Sequence, residues 1–340
     1  MGALSGLPPV QLRGPYEKMP SNRRSRNGSE NGWRTSVMAE RIASTAPMAA
    51  KVIAEMKRHS RGKIVRLKDV IGGRAVAEEL QKTVVGPERL ASMHPAHAAY
   101  IYAQNQVSVM SEMITELDAM APIADIVSKA EDMYLPSGPP MSPLSVSYFT
   151  CWAFFDACVG PANETIGTTI LEVGPEFGMH GELLRVIQLM QHSRMGIYLH
   201  EGVDRGLAVL RDIATDSVSR CIVPAGYAGE KGQIWYARVL PPPWSAGSEH
   251  VVFTTPYIVL ATPLPQWIAY FCRVLPDAPP QARVDEAERH MKYGPSRNYW
   301  NEFVFEGYVN YAEQAIFLGG LPDIAESRPQ SDSYRPDSRS

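Results

Sequence analysis

Long apolar runs, paired cysteines and recognisable reaction motifs are all scarce in this chain of 340 residues. No uninterrupted apolar stretch approaches the roughly 20 residues that a membrane-spanning helix requires. The densest one, Tyr148–Val159, is shorter and contains Asp156, which favours a buried core helix. The N-terminus lacks a basic start and a hydrophobic region, so we expect no secretory signal, no membrane partner and a cytoplasmic location.

Cysteine is rare, and its spacing predicts neither a disulfide framework nor a zinc site. The sequence has four cysteines and no Cys-x-x-Cys pair. Two of them, Cys151 and Cys158, lie in the densest apolar run, where a free thiol behaves as a small hydrophobic group. We therefore expect reduced cysteines, as is usual in a cytoplasmic protein.

Motifs that would identify a reaction are missing from the sequence. It contains no Walker loop, no dinucleotide-binding glycine motif, no nucleophile elbow and no His-Glu-x-x-His. His94 and His97 are close in sequence, but two imidazoles without a third ligand make an incomplete metal site. We expect no cofactor and no bound metal.

The segment Arg194–Leu260 has the clearest pattern in the chain. Short β-branched and aromatic runs alternate there with Gly, Asp, Ser and Pro, which is typical of strands joined by turns. The pattern predicts these strands: Gly196–Glu201, Leu207–Ile213, Val218–Val223, Gln233–Leu240 and Glu249–Leu260.

Hairpin-length connections predict antiparallel neighbours, and five short strands must close up or be covered because open edges leave backbone groups unpaired. We therefore predict a small antiparallel β barrel, SH3-like or OB-like, flanked by helices. Alternation along Gln233–Leu240 predicts that Trp235, Ala237 and Val239 are buried and that Tyr236 and Arg238 are exposed.

Helical patterns flank this module on both sides. On Ala98–Met120 an apolar seam with 3-4 spacing predicts a helix that packs in a helical domain or forms a dimer interface. Further helices are predicted over the following ranges: 36–59 (with a second helical piece from Pro47), 123–133, 143–159, 181–193, 263–274, 283–292 and 298–317. The stretch 165–173 is ambiguous between helix and strand, and two short segments within 69–93 can form a helix-turn-helix unit.

The predicted fold class is α+β, with a helical N-terminal domain followed by the barrel. Composition places a disordered basic arm at 1–35, the helical domain at 36–135, an α+β domain at 143–322 with the barrel at 194–260, and a disordered tail at 323–340.

Charge is distributed unevenly along the chain. The first 68 residues carry fourteen Lys and Arg against four Glu, a net charge of +10, whereas the whole chain is −3, so that the remaining 272 residues sum to −13. A basic segment attracts polyanions. Residues 1–68 are thus candidates to bind nucleic acid or an acidic protein, although they could equally lie on the protein's own acidic body.

Two functions from different classes remain open. The first is non-enzymatic binding, as an adaptor or regulatory protein, with these candidate contact residues: Arg23, Arg24, Arg26, Arg194, Tyr198, Arg211, Tyr236 and Arg238. Guanidinium and phenol groups on a small barrel can stack on bases or grip peptides. The barrel segment itself is electroneutral, however, which favours a protein partner or a structural role as much as nucleic acid.

The alternative function is a hydrolase or nuclease built around His200 in the β module. Its candidate catalytic residues are His200, Glu201 and Asp212. Histidine is the side chain best suited to acid–base chemistry near neutral pH. Because adjacent strand residues point to opposite faces, His200 and Glu201 cannot pair directly, and a partner would have to come from a neighbouring strand.

Overall fold

The computed structural model describes residues 47–60, 85–135, 143–294 and 299–320. Within these ranges the chain is α+β and includes a closed five-stranded β barrel, as the sequence predicted. The predicted arm at 1–35, the start of the helix at 36, the first segment of the helix-turn-helix unit and the tail at 323–340 lie outside the described residues.

The helices follow one another along the chain as α1 (Met48–Ser60), α2 (Pro87–Ala91), α3 (Pro95–Thr115), α4 (Ala121–Tyr134), α5 (Val146–Phe155), α6 (Ile166–Val173), α7 (Gly181–His192), α8 (Leu264–Val274), α9 (Pro280–Tyr293) and α10 (Tyr299–Gly307). Short 3-10 segments occupy Asp118–Met120 and Gly174–Phe177. None of the described helices is both long enough and apolar enough to cross a membrane.

The chain divides into two compact units, and each is built from separated stretches of sequence. Unit 1 comprises Met1–Met93, Tyr100–Ser128 and Ala157–Gln191. Unit 2 comprises His94–Ala99, Lys129–Asp156 and His192–Ser340, and therefore contains the barrel.

Unit 1 is helical in its described part, and its helices are fixed by carboxylates that accept backbone hydrogen bonds. Glu164 Oε1 accepts a bond of 2.6 Å from the Met48 amide, at the start of α1. Glu55, itself buried, accepts 3.1 Å bonds from the amides of Asp118 and Ala119, which begin a 3-10 turn. Such contacts satisfy the free N–H groups at helix starts.

The stretch that was ambiguous between helix and strand is helical. Thr165 is the N-cap of α6 and forms a capping box with Thr168, each side chain accepting from the other residue's amide. This local cap offsets the β-branched composition that had suggested a strand.

The apolar seam of α3 is buried, as a packed helix requires. Tyr100, Ala103, Val107, Met110 and Ile114 are all buried. The helix ends at Thr115, earlier than predicted, and the backbone is extended at residue 117 before the 3-10 turn.

The strands of unit 2 form one eight-stranded sheet. They are β1 (Met195–Asp204), β2 (Leu207–Asp212), β3 (Val218–Ile222), β4 (Ile234–Leu240), β5 (His250–Val252), β6 (Tyr257–Val259), β7 (Tyr308–Ala312) and β8 (Ala315–Leu318). Their order is β1-β2-β3-β5-β4-β6-β8-β7, and a further pairing of β1 with β4 closes the first five into the barrel.

Three details of the strand prediction were wrong. The barrel is not wholly antiparallel, because β3 pairs with β5 in parallel through Cys221 with His250 and Ile222 with Val251. The last predicted strand is two strands, interrupted before Tyr257. The predicted helix at 298–317 ends at Gly307 and is followed by the hairpin β7–β8, so two strands occupy the second half of this range.

The barrel interior is a small apolar core centred on Trp235, which is fully buried. The other buried members are Tyr198, Ala208, Leu210, Cys221, Ala237, Val252, Ile258 and Ala315. Burial of Trp235 and Ala237 agrees with the predicted alternation along β4.

The prediction that Tyr236 and Arg238 are exposed was wrong. Tyr236 is 0% and Arg238 1% exposed. Alternation does place them outside the barrel, but that side of β4 is covered. Tyr236 contacts Tyr148 of α5 and stacks on Trp300 of α10, with ring centroids 5.6 Å apart.

Candidate functional site

His200 lies inside one end of the barrel and is 1% exposed. Its imidazole stacks on the Trp235 indole, with ring centroids 5.0 Å apart and an interplanar angle of 25°. Within the described residues neither ring nitrogen has a hydrogen-bond partner. A buried polar group without a partner is uncommon in folded proteins and calls for an explanation.

Burial lowers the pKa of His200, because the charged imidazolium loses its hydration. The backbone of Ala228 and Glu230 lies near the ring and partly opposes this shift. The imidazole is therefore neutral near pH 7.

The glycine-rich loop 225–232 covers the His200 and Trp235 rings. Gly229 has a φ of +68°, and a Cβ there would lie 2.3 Å from the Trp235 ring and 3.2 Å from His200 Nε2. Only glycine combines this backbone conformation with such a close approach. The Gly232 amide also donates to the His200 carbonyl at 2.8 Å.

The side chain of Gln233 holds this loop together. Its Oε1 accepts bonds from the Glu230 amide at 3.0 Å and the Trp235 indole N–H at 3.3 Å. Its Nε2 donates to the Tyr227 hydroxyl at 3.1 Å. One amide side chain thus connects the loop to the barrel core.

The three candidate catalytic residues do not share hydrogen bonds. Glu201 Oε1 pairs with Arg211 Nε at 2.7 Å. Asp212 pairs with Arg194 at 2.6 Å through one oxygen, and its other oxygen accepts from the amides of Ala214 and Thr215. In the described residues His200 hydrogen-bonds to neither carboxylate, so the structure does not bring the three candidates together as one hydrogen-bonded group.

A buried ionic network occupies the outer side of β4. Asp156, which follows α5, pairs with Arg238 and lies 3.7 Å from Lys292 Nζ of α9. Arg238 also donates to the carbonyl and hydroxyl of Ser193. Lys292 in turn lies 3.5 Å from Glu288. All members except Glu288 are buried.

The pKa values in this network follow from burial and from the central carboxylate. Burial lowers the pKa of Lys292, and the Asp156 charge only partly restores it. Burial alone would also lower the pKa of Arg238, but the attraction of Asp156 prevails and raises it. The side chains hold one another and connect α5, β4 and α9, so we interpret the network as structural.

Tyrosine hydroxyls form a second buried contact set. Tyr148 and Tyr236 hydroxyls lie 3.3 Å apart. The Tyr257 hydroxyl donates to the Pro143 carbonyl at 2.9 Å and accepts from the Ser145 amide at 3.0 Å. Burial raises the pKa of all three phenols, so none is a phenolate at neutral pH.

The candidate binding residues separate into buried and exposed groups. Arg194, Tyr198, Tyr236 and Arg238 are buried and do not present a surface. Arg211 is on the outer side of β2, where its side chain is 36% exposed. The remaining candidates, Arg23, Arg24 and Arg26, lie outside the described residues.

The outer side of β2 and β3 is an exposed part of the barrel wall. Arg211 pairs across the strands with Val218, and Val209 pairs with Arg220. Val218 is 48% exposed. We call these four residues the β2–β3 face.

Carboxylates surround the two arginines of the β2–β3 face. Arg211 pairs with Glu201 and with Asp216 at 2.9 Å, and Arg220 pairs with Asp204 at 3.0 Å. The face therefore carries no excess of positive charge.

His94 and His97 do not complete a metal site. The His94 ring accepts from the Ala96 amide, and His97 packs edge-on against Phe253. No group of three potential metal ligands occurs in the parts of the chain that the structure describes. The four cysteines are free thiols, and Cys272 is exposed.

Sequence reasoning missed Asp156, Lys292 and Gln233. The signal for Asp156 was present, because a carboxylate within the densest apolar run needs a buried cation. Nothing in the sequence marks Lys292, which ends a helix of ordinary charged composition. Gln233 was placed in a strand, and its contacts to the loop could not be inferred from spacing.

Comparison with protein-family models, curated proteins and solved structures found no match to this chain.

Proposed function

We propose that this chain is a non-enzymatic binding protein, an adaptor or regulatory protein, and that the β2–β3 face binds its partner. The observation that carries the proposal is the contrast within the barrel wall. The outer side of β4 is buried under α5 and α10, whereas on the outer side of β2 and β3 Val218 and Arg220 are exposed and Val209 and Arg211 are half-buried.

The barrel type that we propose is OB-like. Strands β1, β2 and β3 follow one another through tight turns, and β4 lies beside β1, in the order 4-1-2-3 of a Greek key. OB folds are five-stranded Greek-key barrels that bind ligands on the side formed by strands 2 and 3. The shared strand order therefore supports the side formed by β2 and β3 as the binding surface of this barrel.

The partner class that we propose for the β2–β3 face is a protein segment. Two arginines alternate there with two valines, and three carboxylates neutralise the arginines. Surfaces that bind nucleic acid carry a positive excess, which this one lacks. Apolar side chains with charged groups of both signs suit a peptide that carries apolar and charged residues.

A peptide-library selection on the immobilised full chain tests this assignment. We expect selected peptides to lose affinity at least tenfold on the Val218→Arg variant. Val284→Arg is the matched control, because Val284 is an exposed valine of α9, 42% exposed. Peptides that bind both variants equally would remove the β2–β3 face from the proposal.

Residues 1–68 carry a second part of the proposed function, which is association with nucleic acid. The support is their net charge of +10 in a chain of −3. Six phosphate contacts would reduce affinity about 10³-fold between 50 and 200 mM salt. We propose a cytoplasmic location for this activity.

Deletion of residues 1–46 tests the basic segment. The deletion removes seven of the fourteen Lys and Arg residues of the basic segment and three of its four Glu residues. We expect the full chain to bind duplex DNA with a steep salt dependence and the deletion variant to bind more weakly, with a shallower salt dependence. Deletion of 321–340 is the control, since that segment has three arginines against four carboxylates. DNA binding whose strength and salt dependence are unchanged without residues 1–46 would contradict the proposal.

A further inference from the structure

The end of the barrel that contains His200 is closed in a way that depends on the protonation state of one imidazole. The ring is buried against Trp235, and neither nitrogen has a hydrogen-bond partner in the described residues. A neutral imidazole tolerates this environment at the cost of one unpaired N–H. An imidazolium would bring two N–H donors and a full charge into the same space.

The loop that covers this ring is rich in glycine and is joined to the barrel at a few identifiable points. Gly226, Gly229 and Gly232 all have positive φ, between +68° and +94°. The loop is attached to the barrel through Gln233, through the hydrogen bond from Gly232 to the His200 carbonyl, and through the Tyr227 ring, which contacts Trp235 and Phe317. Opening of the loop must therefore break these hydrogen bonds and the Tyr227 contacts, whereas it breaks no strand pairing of the barrel.

Charged groups near the ring offer no compensation for a proton. On the loop, Glu230 and Lys231 are exposed. On β1 and β2, the carboxylates of Glu201 and Asp212 are already paired with Arg211 and Arg194.

Strand β4 contributes Trp235 to the ring contact, and Gln233 just before the strand is uncharged. The loop backbone at Ala228 and Glu230 partly stabilises a protonated ring, but less than burial destabilises it, so the charge is fully hydrated only after the loop moves away.

We propose that protonation of His200 opens the 225–232 loop and exposes the Trp235 and Tyr227 rings, so that the loop is a pH-sensitive gate on this end of the barrel. Loop opening leaves the strand pairings of the barrel in place. The gate does not depend on the proposed partner of the β2–β3 face, which lies on the outer side of the wall.

Linkage sets the size and sign of the effect. The ordinary pKa of histidine is about 6.5, and burial lowers it in the closed state. The open state therefore binds the proton more tightly, and acid favours opening. As pH falls from about 6.5 to the pKa of the closed state, the equilibrium constant for loop opening should rise about tenfold for each pH unit.

NMR of the full chain tests the gate in the unmodified protein. We expect the Trp235 indole N–H and the amides of Gly229 and Gly232 to titrate with the same midpoint as the His200 ring protons, below pH 6.5. The amides of β2 should remain protected from hydrogen exchange over this range. Different midpoints, or loss of protection throughout the barrel, would overturn the proposal.

Two variants separate His200 from other titrating groups. His200→Gln should remove the pH dependence of loop exchange, after correction for the intrinsic exchange rate. His250→Gln is the control, because burial lowers the pKa of His250 as it does that of His200, and His250 lies on a different strand, β5. An unchanged pH profile in His200→Gln would assign the titration to another residue and refute the gate.

Discussion

Removing the carboxylate at the centre of the buried network should destabilise unit 2 far more than removing one of its cations. In Asp156→Asn the side chain keeps its size but loses its charge, which leaves Arg238 and Lys292 as buried cations without the carboxylate that they share. Breaking a buried ion pair by removing one partner costs about 3–5 kcal/mol. For a protein unit of this size, that corresponds to a fall in Tm of about 6–20 °C.

Lys292→Met is the matched variant. It removes one buried cation but preserves the pair of Asp156 with Arg238, and the methionine fills similar space. Because the desolvation of the lysine is also removed, we expect a change in the free energy of unfolding below about 1.5 kcal/mol. In the double variant the costs should not add, since only the Arg238 cation then lacks a buried carboxylate.

Urea unfolding followed by circular dichroism and tryptophan fluorescence measures these differences. One contradicting result is that Asp156→Asn lowers the free energy of unfolding by less than about 1 kcal/mol. The other is that Lys292→Met lowers it as much as Asp156→Asn does. In either case the carboxylate would not be the centre of the network. Either result would refute our account of how α5, β4 and α9 are held together.

Further predictions concern single contacts and pH. Tyr257→Phe removes a hydroxyl that both donates and accepts, and should cost about 1–3 kcal/mol in urea unfolding; no loss would mean that water replaces it. Glu55→Ala frees two helix-start amides and should cost about 1–2 kcal/mol, measured in the same way, with Glu112→Ala as an exposed control. Arg211→Ala should leave Tm unchanged within error because its ion pairs are exposed to solvent; a clear drop would show that they are structural. Burial lowers the pKa of several histidines, so the unfolded chain binds more protons and thermal stability should fall as pH drops below about 6.5; a Tm that is constant or rises from pH 7.5 to 5.5 would contradict this.

The barrel was the most predictable part of the fold, because each of its strands has a local signature. The turn at Arg205 and Gly206, where both residues have positive φ, is specified by two adjacent residues. The parallel contact of β3 with β5 has no such signature. It depends on a chain reversal through the loop after Leu240, which spacing does not encode.

The candidate site was less predictable, because burial depends on what packs outside a strand. Alternation correctly assigned Trp235 to the inside and Tyr236 to the outside of the barrel. It could not reveal that α5 and α10 cover the outside, so that Tyr236 became core rather than surface. The end of α10 shows the same limit, since the pattern predicts one helix over 298–317 although the chain turns into a hairpin at Tyr308.

The interleaving of the two units along the sequence limits which truncations are useful and sets the order in which the units can fold during translation. The chain passes from one unit to the other at residues 93, 99, 128, 156 and 191, so no single truncation separates one unit from all segments of the other. All of unit 1 precedes residue 192, and it can be complete while the ribosome is still translating the barrel. Unit 2 needs strands that end at Leu318, so its early segments, which include α5, must wait for most of their partners until translation is nearly finished.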